Sequence, residues 1–287
     1  MPDHSVSHVA VLGAGTMGHG IAHAALAAGV SVTIHDVSND ALQRGSAAIE
    51  RLFAKGVELG KIEAASATDA LGRLEVFPDI EDAVRNADLV IEAVPERMEL
   101  KLEVLGRAER AAPSHAYLAS NTSALSLTEM ACALTRPERF AGMHFFNPVH
   151  RMKLVEVVRA LDTAPETVAL LESVARQLGK EPVVVRESPG FVTSRINVLI
   201  GNEAFYMLHE GVASAADIDK ALKLGLNHPM GPFELGDLVG LDTRLSVLRY
   251  LHRTLGEKYR PSPLLVQYVE AGRLGRKTGR GVFDYRS

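Results

Sequence analysis

The stretch VLGAGTMGHGIA, residues 11–22, constrains this chain more than any other feature. Its glycines Gly13, Gly15 and Gly18 follow directly on an apolar β-rich run, HVAVLG, and open a helical pattern. Each glycine meets a separate steric demand. The first allows a tight turn, the second lets the backbone approach a pyrophosphate, and the third lets helix and strand pack closely. A second β-rich run, VSVTIHD at 30–36, ends in Asp36, where a carboxylate accepts hydrogen bonds from both ribose hydroxyls of a dinucleotide. Strand, glycines, helix and terminal acid in register predict a Rossmann-type unit. The acid also selects the dinucleotide. A carboxylate repels a 2′-phosphate, and Val37, Ser38 and Asn39 follow it without an arginine, so NAD is expected over NADP.

Further β-rich runs alternate with helical patterns: DLVIEAV (88–94), HAYLAS (115–120), FAGMHFF (140–146), LVEVV (154–158) and PVVVR (182–186), all read as buried strands. Continuous apolar strands alternating with helices predict a mostly parallel sheet covered on both faces. The segment from Ser38 to Leu71 is long for a crossover and reads as a helical hairpin projecting from the sheet domain. After ESPGF the pattern becomes helical, through VTSRINVLIGNEAFYMLHEG, SAADIDKALKLGL with Ser214 as N-cap, and PFELGDLVGLDTRLSVLRYLHRTLG, ending in a basic glycine-rich tail. The expected organisation is an NAD-binding Rossmann domain over 1–187 and an all-α C-terminal domain over 188–287.

Composition narrows the function classes. A net charge of −4, without a run of like charges, gives no footprint for nucleic acid or an anionic membrane. The single cysteine, Cys132, excludes an intrachain disulfide framework and a thiolate metal cluster, and fits a reducing, cytoplasmic setting. The apolar stretch from Val9 to Val30 is interrupted by five glycines and by His19 and His23, and is not read as a membrane span.

Ligands of open α/β sheets sit beyond the carboxyl ends of the strands, so Glu92, Ser120 and Asn121 are expected to line a nicotinamide pocket. Helix capping competes as an explanation and is the better one for Ser126. In GMHFFNPVHRMKLVEVV, His144 and Glu156 are ionisable groups in apolar runs on either side of an Asn-Pro turn. Oxidation of a hydroxyl by hydride transfer needs a base near neutrality, which histidine supplies. Glu156 on the following strand then accepts from the other ring nitrogen and fixes the tautomer. A satisfied core histidine and a solvent-facing glutamate are the plainer alternative, and His150 is read as an exposed loop residue.

With GAGTMG, VIEAVPE, SNTSALS, HFFNPVHRMKLVEVV, SPGF, HPMGPFELGDLVGLDT and GRKTGRG assembled, the chain resembles the 3-hydroxyacyl-CoA dehydrogenase family over nearly its whole length. It is most like the short bacterial members acting on 3-hydroxybutyryl-CoA. The resemblance implies His144 and Glu156 as the catalytic pair. It also implies Ser120 and Asn147 at the reacting part of the substrate or the nicotinamide, Lys277 near the cofactor, and Lys55 near CoA phosphates. Thr16, Met17 and Arg97 join the expected cofactor contacts. It further implies an acyl-CoA partner and a homodimer formed through the helical domain. Where the family has asparagine in GFxxNR, this chain has Ser194, which leaves the orientation of the thioester to a shorter hydroxyl.

Two other readings share the glycine motif: a dehydrogenase of a free hydroxy acid or sugar acid, which needs no CoA site, and a non-catalytic NAD-binding sensor or structural protein, which needs neither His144 nor Glu156. If Asp36 binds the ribose, kcat/KM with NADH exceeds that with NADPH strongly in steady-state assays. Equal values would remove Asp36 from this role.

Overall fold

The computed structural model describes residues 6–286, so the outermost residues of both expected domains lie outside it. The chain divides into two compact units, Met1–Glu187 and Ser188–Ser287. The first contains, in order, β1 (His8–Leu12), α1 (Thr16–Ala27), β2 (Ser31–His35), α2 (Asn39–Glu58), α3 (Ala64–Leu71), β3 (Leu74–Phe77), α4 (Ile80–Val84) and β4 (Leu89–Glu92). It continues with α5 (Met98–Ala111), β5 (Tyr117–Ser120), α6 (Leu127–Cys132), β6 (Phe140–Phe145), β7 (Leu154–Arg159), α7 (Pro165–Gln177) and β8 (Glu181–Arg186).

The strands form one eight-stranded sheet in the order β3-β2-β1-β4-β5-β6-β7-β8. All neighbours run parallel except β6 and β7. The chain proceeds outward from β1 through β2 to β3, then returns to place β4 on the other side of β1. That reversal opens a crevice at the carboxyl ends of β1 and β4, the place where α/β sheets receive ligands. The inner strands are buried along nearly their whole length, as their continuous apolar runs require.

The structure departs from the sequence reading at three places in this unit. The hairpin α2–α3 is present, but it does not project. Leu42, Ile49, Phe53, Ala67 and Ala70 bury it in the same core as α1, and it is itself the crossover from β2 to β3. PVVVR is not a buried strand: β8 is the sheet edge, with Val183 46% and Val184 43% exposed, and Pro182 deprives that edge of a donor. The short strand β3, within RLEVFPD, escapes the pattern because its side chains are partly or fully exposed.

The second unit holds α8 (Thr193–His209), α9 (Ala215–Gly225), α10 (Pro232–Val239), α11 (Leu241–Leu255) and α12 (Pro263–Glu270). Ser214 caps α9 by accepting from Asp217 N at 3.1 Å. The long helical pattern from Pro232 breaks at Gly240, whose φ of +106° separates α10 from α11. Asp237, wholly buried, accepts from Val282 N and Phe283 N at 2.9 Å and from the Tyr285 hydroxyl at 3.1 Å.

His23 sits on the buried face of α1 against the Phe53 ring of α2, centroids 4.5 Å apart, with His150 edge-on at 6.4 Å. Neither ring nitrogen has a hydrogen-bond partner. Burial, reinforced by charge repulsion from His150, Lys180 and His19, pushes its pKa down from 6.5 to about 4. Between those values the unfolded chain holds a proton that the folded chain refuses, so stability falls as pH drops from 6.5 towards 4. The loss is about 2 kcal/mol at pH 5. Urea unfolding at pH 7 and pH 5 should show His23→Gln losing less stability on acidification than the parent by about that amount. An unchanged pH difference would contradict this account of His23.

Candidate active site

The turn from β1 into α1 is built by steric exclusion. Gly13 has φ +106° and lies where a Cβ would come within 2.7 Å of the Ala93 carbonyl oxygen at the end of β4. A Cβ on Gly18 would stand 1.7 Å from the Gly13 oxygen. Gly15 differs, for nothing lies within 4 Å of its Cβ position. That open space fronts α1, which has no side-chain cap and no acid in its first turn, so its N–H groups and positive dipole end are available to a phosphate. Thr16 is exposed and Met17 half-buried beside it. Asp36, just past β2, accepts from Ala14 N and Ser38 N, each at 3.0 Å. Each carboxylate oxygen therefore keeps a further acceptor site for a ribose hydroxyl. These residues fit a dinucleotide.

Glu92 and Ser120 end β4 and β5 as directly paired residues. Both are enclosed completely, at 0% exposure, so neither side chain lines a pocket as the sequence reading expected. The Ser120 hydroxyl donates to Glu92 Oε2 at 2.5 Å. Glu92 Oε1 accepts from Val94 N and from Lys101 Nζ, each at 2.7 Å. Lys101, on α5 and 1% exposed, also approaches Glu96 Oε2 at 3.2 Å. Glu96 in turn accepts from the Thr122 hydroxyl at 2.6 Å and Ser123 N at 3.0 Å. One ammonium thus serves two carboxylates. Burial raises the Glu92 pKa against the pull of Lys101. Glu96 keeps 41% of its side chain exposed; desolvation acts the same way on it, but Lys101 and the bonds from Thr122 and Ser123 outweigh it and hold that pKa below the usual range.

Lys101 and Glu96 were missed in the sequence. A signal existed for the lysine, since Lys101, Leu105 and Ala108 recur at the spacing of one helix face, and that face is buried. A charge on such a stripe calls for a partner.

His144 and Glu156 are opposite one another across the antiparallel pair β6·β7. Directly opposed residues share a face of the sheet, and a slip of one residue would send one of them to the other side. His144 Nδ1 lies 2.8 Å from Glu156 Oε2, with Glu156 1% exposed. The carboxylate accepts the Nδ1 proton, which leaves Nε2 as the basic nitrogen of the ring. The Phe146 ring packs at 4.4 Å from the imidazole. Asn121 joins the neighbouring strand end, its Oδ1 accepting from Phe145 N at 2.8 Å.

The remaining expected residues fall at the surface. Asn147 is exposed in the turn between β6 and β7, Arg97 is exposed at the start of α5, and His150 is exposed as anticipated. Lys55 pairs with Glu58 on α2 at 2.7 Å. In the second unit, Ser194 is half-buried in the first turn of α8, and Lys277 pairs with Asp242 at 2.7 Å.

Two domain models match the chain: the NAD binding domain of 3-hydroxyacyl-CoA dehydrogenase over residues 8–188 and its C-terminal domain over residues 190–285. The chain belongs to the 3-hydroxyacyl-CoA dehydrogenase family. It is 46% identical over 281 residues to the probable 3-hydroxybutyryl-CoA dehydrogenase of Bacillus subtilis, covering 98% of each chain. It is 45% identical over 282 residues to the 3-hydroxybutyryl-CoA dehydrogenase of Bradyrhizobium diazoefficiens, covering 98% of this chain and 96% of that one. The crystal structure of (S)-3-hydroxybutyryl-CoA dehydrogenase PaaH1 from Ralstonia eutropha matches with a TM-score of 0.94 at 43% identity, over 99% of this chain and all of that one. As a member of this family the chain is an NAD-dependent oxidoreductase, in agreement with its glycine turn and Asp36.

The shared ammonium makes a stability prediction. Lys101→Met leaves Glu92 and Glu96 without their cation and should lower unfolding free energy by about 3–5 kcal/mol, the range for breaking a buried pair from one side. Denaturant unfolding measures it, and a loss under about 1 kcal/mol, the range of a surface pair, would show that the carboxylates find other partners.

Proposed function

We propose that this dehydrogenase interconverts (S)-3-hydroxyacyl-CoA and 3-oxoacyl-CoA, with the four-carbon 3-hydroxybutyryl-CoA as preferred substrate, and that it does so in the cytoplasm as a homodimer. The observation that carries the reading is the buried pair His144–Glu156, 2.8 Å apart in register across two strands. A dinucleotide-binding protein without chemistry has no need of it, because the glycine turn and Asp36 suffice for binding.

A nicotinamide dinucleotide held by the first turn of α1 and Asp36 would supply the hydride chemistry at C3 of the substrate. His144 Nε2 takes the proton of the 3-hydroxyl in oxidation and returns it to the oxygen in reduction. Glu156 holds the ring through Nδ1 and stabilises the imidazolium while that proton is held. The desolvated setting strengthens this ion pair relative to water. Asn147, exposed in the turn beside His144, is available to the substrate, and Asp36 and the first turn of α1 hold the dinucleotide.

The CoA part of the reading rests on the family and its relatives. Lys55 and Ser194 are its candidate contacts on α2 and α8, towards the CoA phosphates and the thioester, and Lys277 is a candidate contact to the cofactor. The dimer is supported by apolar side chains left exposed in the helical unit, among them Val212, Leu224 and Leu226.

Oxidation of NADH in the presence of acetoacetyl-CoA tests the activity, with free acetoacetate as the control that separates a thioester enzyme from a hydroxy-acid enzyme. His144→Gln should lower kcat by about a hundred- to ten-thousand-fold with little change in NADH affinity. Glu156→Gln should cost less. A fully active His144→Gln enzyme would overturn the mechanism.

A further inference from the structure

Lys180 lies between α7 and β8 and is 8% exposed, yet among the described residues no carboxylate pairs with its ammonium. Nζ donates instead to two backbone carbonyls, Val149 O at 2.5 Å and Met152 O at 3.0 Å. Both belong to the turn that joins β6 to β7 and carries Asn147. Elsewhere in that turn the backbone serves itself or β8: Pro148 O accepts from Arg151 N and Met152 N, each at 3.0 Å, and Lys153 O accepts from Glu181 N at 2.8 Å. The lysine is fixed from behind, where its own N–H bonds Ala175 O at 2.9 Å after Gly179, at φ +69°, has turned the chain out of α7. On its other side the turn rests on α1, for a Cβ on Gly20 would stand 2.9 Å from Val149 Cγ2. An ammonium without a carboxylate is costly to bury, and burial lowers its pKa. What that charge secures here is the conformation of one turn.

We infer that Lys180 is a positioning residue for the reaction, acting through this turn: it holds the backbone from which Asn147 reaches the substrate beside His144. The inference rests on the function proposed above, in which Asn147 meets the substrate. Asn147 is exposed, so its place follows the backbone beneath it. His144 is different, being held by the pairing of β6 with β7 and by its bond to Glu156. Lys180 therefore bears on Asn147 more than on the base. Gly20 bears on the same turn from the cofactor side. Helix α1, whose first turn faces the dinucleotide phosphates, packs through Gly20 on Val149, and Lys180 keeps Val149 against it. The clamp thus refers the substrate contact to the helix that holds the cofactor.

Lys180→Met tests this, because it fills the same space and leaves both carbonyls without a donor. Wild-type turnover of acetoacetyl-CoA with NADH is the control, and its absence would overturn the proposed function and this inference together. With that activity present, Lys180→Met should lower kcat per folded enzyme by about tenfold or more, since misplacing a positioned group by about 1 Å costs up to about a hundredfold. KM for NADH should stay within about twofold of wild type. Lys180→Arg, which keeps a cation with donors for two carbonyls, should recover most of the loss. A lysine that served the fold alone would lower the melting temperature on replacement and leave kcat of the folded enzyme unchanged. Asn147→Ala should itself be slow, and adding Lys180→Met to it should slow it little further. Should Lys180→Met not fold, Gly20→Ala presses on the same turn from α1, and the same loss and the same lack of additivity with Asn147→Ala are expected. Losses that multiply in the double variant, or an Asn147→Ala or Lys180→Met enzyme as fast as wild type, would overturn the inference while the activity stands.

Discussion

Two backbones meet at Gly13. The glycine abuts the Ala93 carbonyl at the end of β4, and Gly18 abuts Gly13 in turn, so strand β1, helix α1 and strand β4 approach more closely than any side chain would allow. That approach sets the crevice at the switch in strand order and brings the open first turn of α1 to the same edge as Asp36. It also lines up the ends of β4, β5 and β6, which carry Glu92, Ser120 and, one residue before its end, His144. A substituent at Gly13 or Gly18 would force these elements apart and move every functional group together.

The same edge carries buried charge, and it is managed in two different ways. Glu156 accepts from the His144 imidazole directly across the strand pair. Glu92 and Glu96 share Lys101, and every hydrogen of that ammonium has an acceptor in Glu92, Glu96 or the Val94 carbonyl. Such a network tolerates little movement, since a partly satisfied buried charge costs more than an apolar residue in its place. Ser120 belongs to this network by its bonds.

The helical crossover α2–α3 adds a constraint of another kind. Packed on α1, it encloses His23 beside Phe53 and leaves that imidazole without a hydrogen-bond partner. The neighbouring Lys180 is spent on the carbonyls of Val149 and Met152, in the turn that joins β6 to β7. Lys180 and His150, on the side of the β6–β7 hairpin, thus add to burial in disfavouring a proton on His23.

The sequence by itself determined the features whose physics is local. The glycine turn, the acid ending β2 and the His–Glu pair across one antiparallel connection all follow from spacings of a few residues and from the alternation of side chains along a strand. The Ser214 and Ser126 caps were legible for the same reason. Only the tertiary structure decided the rest, because burial depends on neighbours distant in the chain. Nothing near PVVVR in sequence says that β8 is an edge, nothing near Ser38–Leu71 says that the hairpin lies on α1, and the tail after Leu274 bonds to Asp237 some forty-five residues away. Ser120 likewise reads as a hydroxyl at the mouth of a site until Glu92 and Lys101 are placed around it. Their donors and acceptors, not its own position, fix which way its proton points.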